Sequence, residues 1–189
     1  MRTRAILAIG FACAVLGGAG AIALIAGRAP ALEGVTAKAA NPIWTETQWP
    51  FSMDEWGQGK AFRCNAGDCG VEANLYVRAK IGFCNCTTGV SDDEELDRLT
   101  DFHLMGDKLG AVGAGRPIDV AGMKGRSRAY SGAADRGRSA LAVAFNDRCD
   151  AIVATVVVAN GRPLAMENSA LEFLNGPTIR RWAELTLGL

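Results

Sequence analysis

Residues 71–81 alternate without exception between apolar and polar side chains. Val71, Ala73, Leu75, Val77, Ala79 and Ile81 take one parity, and Glu72, Asn74, Tyr76, Arg78 and Lys80 take the other. A period of two belongs to a strand, so this stretch predicts a half-buried β-strand with one face on a core and one in water. Residues 60–64 just before it supply a short partner strand. The turn between them carries Asn65, Gly67 and Asp68, which suit a tight reversal.

Further strands lie downstream. Residues 139–145 alternate Leu141, Val143 and Phe145 against Ala140, Ala142 and Ala144. Residues 151–159 (AIVATVVVA) are almost wholly apolar and β-branched, which predicts a central strand buried on both faces. Asn146 to Asp150 joins the two as a hairpin, with Cys149 near the end of the sheet. The small alanine face would let a helix approach closely, and the candidates are residues 167–175 and 177–187. Gly176-Pro177 stops the first and starts the second. Ile179, Trp182, Ala183 and Thr186 then share one helical face.

Between the two sheet halves, Ser91-Asp92-Asp93-Glu94 reads as a capping box opening a helix. Its first turns are crowded with acids, which the positive helix terminus stabilises. Leu96, Leu99 and Phe102 or His103 form its apolar stripe. Gly106, Gly110, Gly113 and Gly115 make residues 106–116 a loop with no nucleotide-binding spacing. Two short strands follow near 118–123 and 126–130. Together these elements predict an α+β fold: a single, mainly antiparallel sheet of about five or six strands with C-terminal helices packed on it, preceded by an N-terminal hydrophobic helix.

That last element is residues 5–27, a run of 23 without a charge, 18 of them apolar and the rest glycine. It is long enough to cross a bilayer, whereas a cleaved leader needs an apolar stretch of only about 7–15 residues. Membrane anchor (residues 1–28) and signal peptide are the two readings. Both put the chain from about residue 41 outside the cytoplasm. Residues 29–58 read as a linker and lead-in containing Trp44, Trp49 and Trp56, which pack on an edge of the domain. Residues 59–189 are the exported domain. Arginine outnumbers lysine 15 to 5, a bias that suits a GC-rich bacterial genome. The compartment is therefore read as the periplasm, with the chain in the inner membrane, or released from it if the segment is cleaved.

Export gives the cysteines a meaning, because an oxidising compartment favours disulfides. Cys13 lies in the apolar run. Cys64, Cys69, Cys84, Cys86 and Cys149 remain, an odd number that leaves one thiol over. Cys64 and Cys69 would close the hairpin turn. Cys84 and Cys86 in an extended strand would sit about 6.6 Å apart with parallel side chains, a poor geometry for bonding each other. One of the two is expected to bond Cys149, and the other is the unpaired thiol.

The net charge is zero, with 20 basic and 20 acidic residues, which removes the basic excess of a dedicated nucleic-acid binder. The balance is local, however. Residues 41–110 hold 12 acids and 6 bases, whereas residues 111–140 hold Arg116, Lys124, Arg126, Arg128, Arg136 and Arg138 against two acids. Either these stretches face each other across the fold or lie on solvent, or the six cations form an anion- or partner-binding face.

Catalytic signatures are missing from the sequence. There is one histidine, His103, and no G-x-S-x-G, H-E-x-x-H, C-x-x-C or C-x-x-C-H pattern. No catalytic residue, metal or cofactor is therefore assigned. The sequence favours a non-enzymatic accessory or binding domain, anchored through residues 5–27 and meeting a protein partner at the membrane surface. One alternative is thiol-redox or copper chemistry at Cys84-x-Cys86, with His103, Met105 and Met123 as further ligands. A second is a hydrolase working through carboxylates, which carry no local signature.

Overall fold

The alternating stretch folds as strand β3 (Ala73–Lys80), and β2 (Lys60–Cys64) pairs with it antiparallel. The computed structural model describes residues 43–106, 108–132, 138–159 and 162–189. The apolar 5–27 run, the first part of the lead-in and Arg136 lie outside these residues. No described helix is long and apolar enough to cross a membrane.

The turn between β2 and β3 is a single helical turn, α1 (Ala66–Cys69), ended by Gly70 at a φ of 73°. The long strands β4 (Leu109–Val120), β5 (Met123–Gly132), β6 (Arg138–Asp147) and β7 (Asp150–Ala159) then form a meander. With a short β1 (Thr45–Thr47), all pairings are antiparallel and the order is β1-β2-β3-β7-β6-β5-β4. The fold is therefore α+β with one antiparallel sheet, but of seven strands rather than five or six. β1 comes from the lead-in. β4 occupies the stretch read as a glycine-rich loop, together with the region assigned to a short strand near 118–123. That short strand does not exist as such: Ala121 and Gly122, with φ of 54° and 81°, make a two-residue turn inside it. Positive φ at both positions is what a tight hairpin requires, because it matches the twist of the flanking strands.

β7 lies between β3 and β6 and is buried on both faces because both faces of the sheet are covered. On one face Leu75, Val77, Leu141, Val143, Phe145, Ile152 and Val156 pack beneath the C-terminal helices. These are a 3-10 turn (Pro163–Met166), α3 (Glu167–Leu174) and α4 (Pro177–Leu187), which contribute Met166, Ala170, Leu174, Ile179 and Ala183. On the other face Ala140, Ala142, Ala144, Ala151 and Val153 pack beneath α2 (Asp93–Leu99) and a 3-10 turn (Phe102–Met105) through Leu96, Leu99 and Phe102. The alanine face thus receives α2, not the C-terminal helices as the sequence suggested. The C-terminal helices contribute small residues of their own, Ala170 and Ala183, and meet the bulky parity. The α2 segment brings two leucines and a phenylalanine and meets the small one. Ala142→Leu is expected to overpack the α2 interface and lower stability by about 1–3 kcal/mol, read from a urea unfolding curve. An unchanged midpoint would contradict this packing.

Two further expectations change. Asp92, not Ser91, caps α2, accepting the Glu95 N–H at 2.8 Å. The polar parity of β3 is also not a wet face. Arg78 and Lys80 are 1% and 3% exposed, because the lead-in and the residues after α2 close over them.

Candidate functional site

Charge is the guide to a site, since it must be neutralised, solvated or used. Three charged assemblies stand out. The first sits over β3. The Arg78 guanidinium donates Nε to Asp101 Oδ2 at 2.7 Å and Nη2 to Asp101 Oδ1 at 2.5 Å. Its Nη1 reaches both oxygens of Asp54 at 2.7 and 2.8 Å. Lys80 donates to the Leu99 carbonyl at 2.9 Å, lies 2.9 Å from Asp101, and packs near the Trp56 and Phe83 rings. Asp54 belongs to the lead-in, so Arg78 clamps that segment onto the sheet. The aromatic contacts of Trp49 and Phe51 with Tyr76, and of Trp56 with Phe83, run alongside.

Burial works against the Asp54 charge, but hydrogen bonds from Arg78 and the Trp56 N–H, and the nearby positive charge, outweigh it and hold the carboxyl below its ordinary value. A depressed folded-state pKa stabilises the fold above the unfolded value of about 3.9 and loses that contribution as pH falls through the folded one. Asp93 is lowered in the same direction by the Gly115 N–H and Arg126. Stability is therefore expected to fall on acidification below about pH 4, with a change in tryptophan emission as the lead-in loosens. The Asp54→Asn variant should lose less over that range than the parent. Parallel acid curves for the two would contradict the clamp.

The second assembly joins α2 to β5. Arg126 donates Nε to Asp93 and Nη2 to the Gly115 carbonyl at 3.1 Å. Arg128 donates to Asp97 at 2.9 Å, and the Tyr130 hydroxyl donates to the same carboxylate. Burial and Asp97 together push the Tyr130 hydroxyl well above its usual pKa. The acids of α2 are thus the counter-charge of β5.

Of the six basic residues grouped by sequence, Arg126 and Arg128 meet acids from the acidic half of the chain. Lys124 is exposed near the β5 end, and Arg138 borders a separate hollow with Phe51, Glu72 and Tyr76. Arg116 points to the opposite face of the sheet. Arg116 and Arg128 both line one groove, while Lys124 and Arg138 border other hollows.

Arg116 leads to the third assembly. Glu167, the first residue of α3, is only 2% exposed. One carboxylate oxygen accepts from the Ser127 hydroxyl of β5, itself buried, and the other meets the Arg116 guanidinium. Arg116 in turn has a side chain 63% exposed. The carboxylate lies at the floor of a groove of about 430 Å³, lined by Val112, Ala114, Ala129 and Leu164 and also by Arg116, Ser127, Arg128 and Asn168. β4 is irregular between Val112 and Arg116, where Gly113 has a φ of 73°, and this stretch of the edge strand borders the groove. No histidine, cysteine or lysine lines it. The arrangement can hold an opposite pair of charges, and its Ser127 hydroxyl is hydrogen-bonded to the Glu167 carboxylate.

The cysteines resolve the choices left open by spacing. Cys64 bonds Cys69, and Cys86 bonds Cys149. Among the described residues Cys84 is the free thiol, buried, with its sulfur 3.2 Å from the Arg148 carbonyl. Burial, reinforced by Glu95 and Asp150, pushes its pKa up to about 11, so little thiolate exists at neutral pH. With Cys86 cross-linked, Cys84-x-Cys86 is not a dithiol. Of the further soft ligands, Met105 packs against the core cluster that holds Cys84, but the other two do not. His103 is exposed on the 3-10 turn, and Met123 packs with the core on the opposite face.

Glu167, Ser127, Asp54 and Asp101 were not singled out by sequence. An acid in the first turn of a helix reads as a solvated residue favoured by the dipole. Nothing local marks one as buried. No protein-family model matches this chain, and no curated protein is detectably similar to it.

Proposed function

We propose that this chain is a small-ligand-binding domain of the periplasm, held at the inner membrane by residues 5–27 and without catalytic machinery of its own. The observation that carries the binding role is Glu167. A carboxylate almost wholly removed from water sits at the floor of an open groove whose lining joins four apolar residues to Arg116, Ser127, Arg128 and Asn168. Ligand sites are concave, largely apolar and built around a few placed polar groups. An ordinary structural acid on a helix amino end would stay in water. The anchored, exported placement is supported by the length of the uncharged run and by two disulfides, which persist in oxidising compartments.

Protease added to intact spheroplasts tests the placement. The domain should be digested while cytoplasmic proteins survive, and a fragment still containing residues 5–27 should stay with the membrane. Protection of the whole chain until the cells are lysed would overturn the exported reading.

A further inference from the structure

We infer that the Glu167 groove takes a free α-amino acid with an apolar side chain, the ammonium group meeting Glu167 and the carboxylate meeting Arg116. This inference rests on the binding role proposed above and names its ligand class.

The argument starts from how unevenly Glu167 is held. One oxygen is fixed by Ser127, a buried residue of a central part of β5. The other is served by Arg116, which reaches in from an edge strand with most of its side chain in water. An ion pair to so exposed a partner contributes little and opens readily. A second charged group can therefore take the place of the guanidinium at the buried oxygen.

What enters must satisfy two ions at once. A simple amine would replace Arg116 at Glu167 but leave the guanidinium without its acid. A simple carboxylate would draw Arg116 outward and leave the buried Glu167 oxygen unmatched, the more costly fault because a desolvated charge without a partner is strongly unfavourable. An α-amino acid carries both charges on one carbon. It can insert between Glu167 and Arg116 and give each a charge-assisted hydrogen bond, the guanidinium being suited to grip a carboxylate with two N–H groups.

The walls indicate the side chain. Val112 and Leu164 are 52% and 51% exposed, and both border the groove beside Ala114 and Ala129. A branched aliphatic side chain would cover them. The volume of about 430 Å³ lies within the range of small-molecule sites.

The test is calorimetric titration of the full chain, purified in mild detergent, with L-leucine, 3-methylbutylamine and 4-methylpentanoate. The last two are leucine without its carboxylate and without its ammonium. Leucine should bind saturably; 4-methylpentanoate should bind at least about tenfold more weakly, the loss of one buried charged hydrogen bond, and 3-methylbutylamine more weakly by a smaller factor, since Arg116 is the more exposed partner. Glu167→Gln should weaken leucine by a similar factor. Arg116→Ala, whose unfolding transition is measured first because it leaves the buried Glu167 oxygen without its cation, should erase the preference for leucine over 3-methylbutylamine. If either analogue matches leucine in the parent protein, the amino-acid inference is overturned while the groove remains a binding site. If none of the three binds to a chain whose unfolding transition is normal, the amino-acid inference fails. If, in addition, no ligand of a broad metabolite screen shifts that transition, the binding role falls as well.

Discussion

Replacing Arg78 with leucine is expected to remove about 3–5 kcal/mol of folding stability. For a domain of this size that corresponds to a fall in melting temperature of roughly 10 °C. The side chain is 1% exposed and donates to two carboxylates from distant parts of the chain, Asp54 and Asp101. Taking it away leaves two acids facing a low-dielectric interior with Lys80 as the remaining cation near Asp101. The loss therefore comes less from a missing attraction than from uncompensated charge. A second substitution separates these causes. Arg78→Leu combined with Asp101→Asn removes one of the stranded charges, so part of the loss should return. An exposed pair gives the control. Arg63 and Glu72 are each about half exposed, and Arg63→Ala should change stability by no more than about 1 kcal/mol. If Arg78→Leu behaved like Arg63→Ala in urea unfolding, the buried clamp would not be a stabilising feature of this fold.

The second large effect concerns the Cys86–Cys149 bridge. It closes a loop of 63 residues in sequence, whereas Cys64–Cys69 spans 5. Chain-entropy reasoning then assigns about 4 kcal/mol to the first and about 2 kcal/mol to the second. The difference has a structural meaning. Residues 87–148 contain α2 and strands β4, β5 and β6, so the long bridge ties the start of that excursion to the hairpin that ends it. The paired variant Cys86→Ser/Cys149→Ser is the one to make. A single substitution would leave a thiol close to Cys84, whose N–H already donates to the Cys149 carbonyl at 3.1 Å, and invite a new bridge. The double variant should unfold at clearly lower denaturant than Cys64→Ser/Cys69→Ser. Equal midpoints for the two would mean that the long loop is constrained in the unfolded chain by something other than the disulfide.

Much of the sheet was legible because its strands carry side-chain patterns. β3 announces itself by strict alternation, and β7 by a run of β-branched residues flanked by turn formers. β2 and the paired Cys64 and Cys69 followed from their place beside β3. β4 was not legible, since three glycines and a proline give Leu109–Val120 neither alternation nor β propensity. Its extended form is imposed from outside by the β5 ladder, and the Gly115 N–H donates to Asp93 at 3.0 Å. Pro117 and the irregular backbone also suit an edge strand, which is protected from pairing with other chains by such features.

The site was hidden for a related reason. Alternation told which β3 residues share a face, but not that Asp54 and Asp101 would come to cover Arg78. These partners lie 24 and 23 residues away. Glu167 looked like any acid at a helix amino end. Its burial depends on which face of the sheet α3 packs against, and that choice was misread. The alanine face seemed the place for close helix packing, yet the bulky residues of α2 fill it. Once α3 lies over Ser127 and beside the open edge of β4, a plain helix-start acid becomes the floor of a groove.

We propose a domain exported from the cytoplasm and braced by two bridges, with Cys84 left over. Peptide mapping by mass spectrometry addresses it most directly, using the chain taken from its own membranes and alkylated under denaturing conditions without reductant. The account requires Cys64 linked to Cys69 and Cys86 linked to Cys149, with the label on Cys84. Label on Cys13 as well would show that residues 5–27 remain attached. Label on all of Cys64, Cys69, Cys84, Cys86 and Cys149 would mean that the domain folds in a reducing compartment, and would contradict the exported reading at its base.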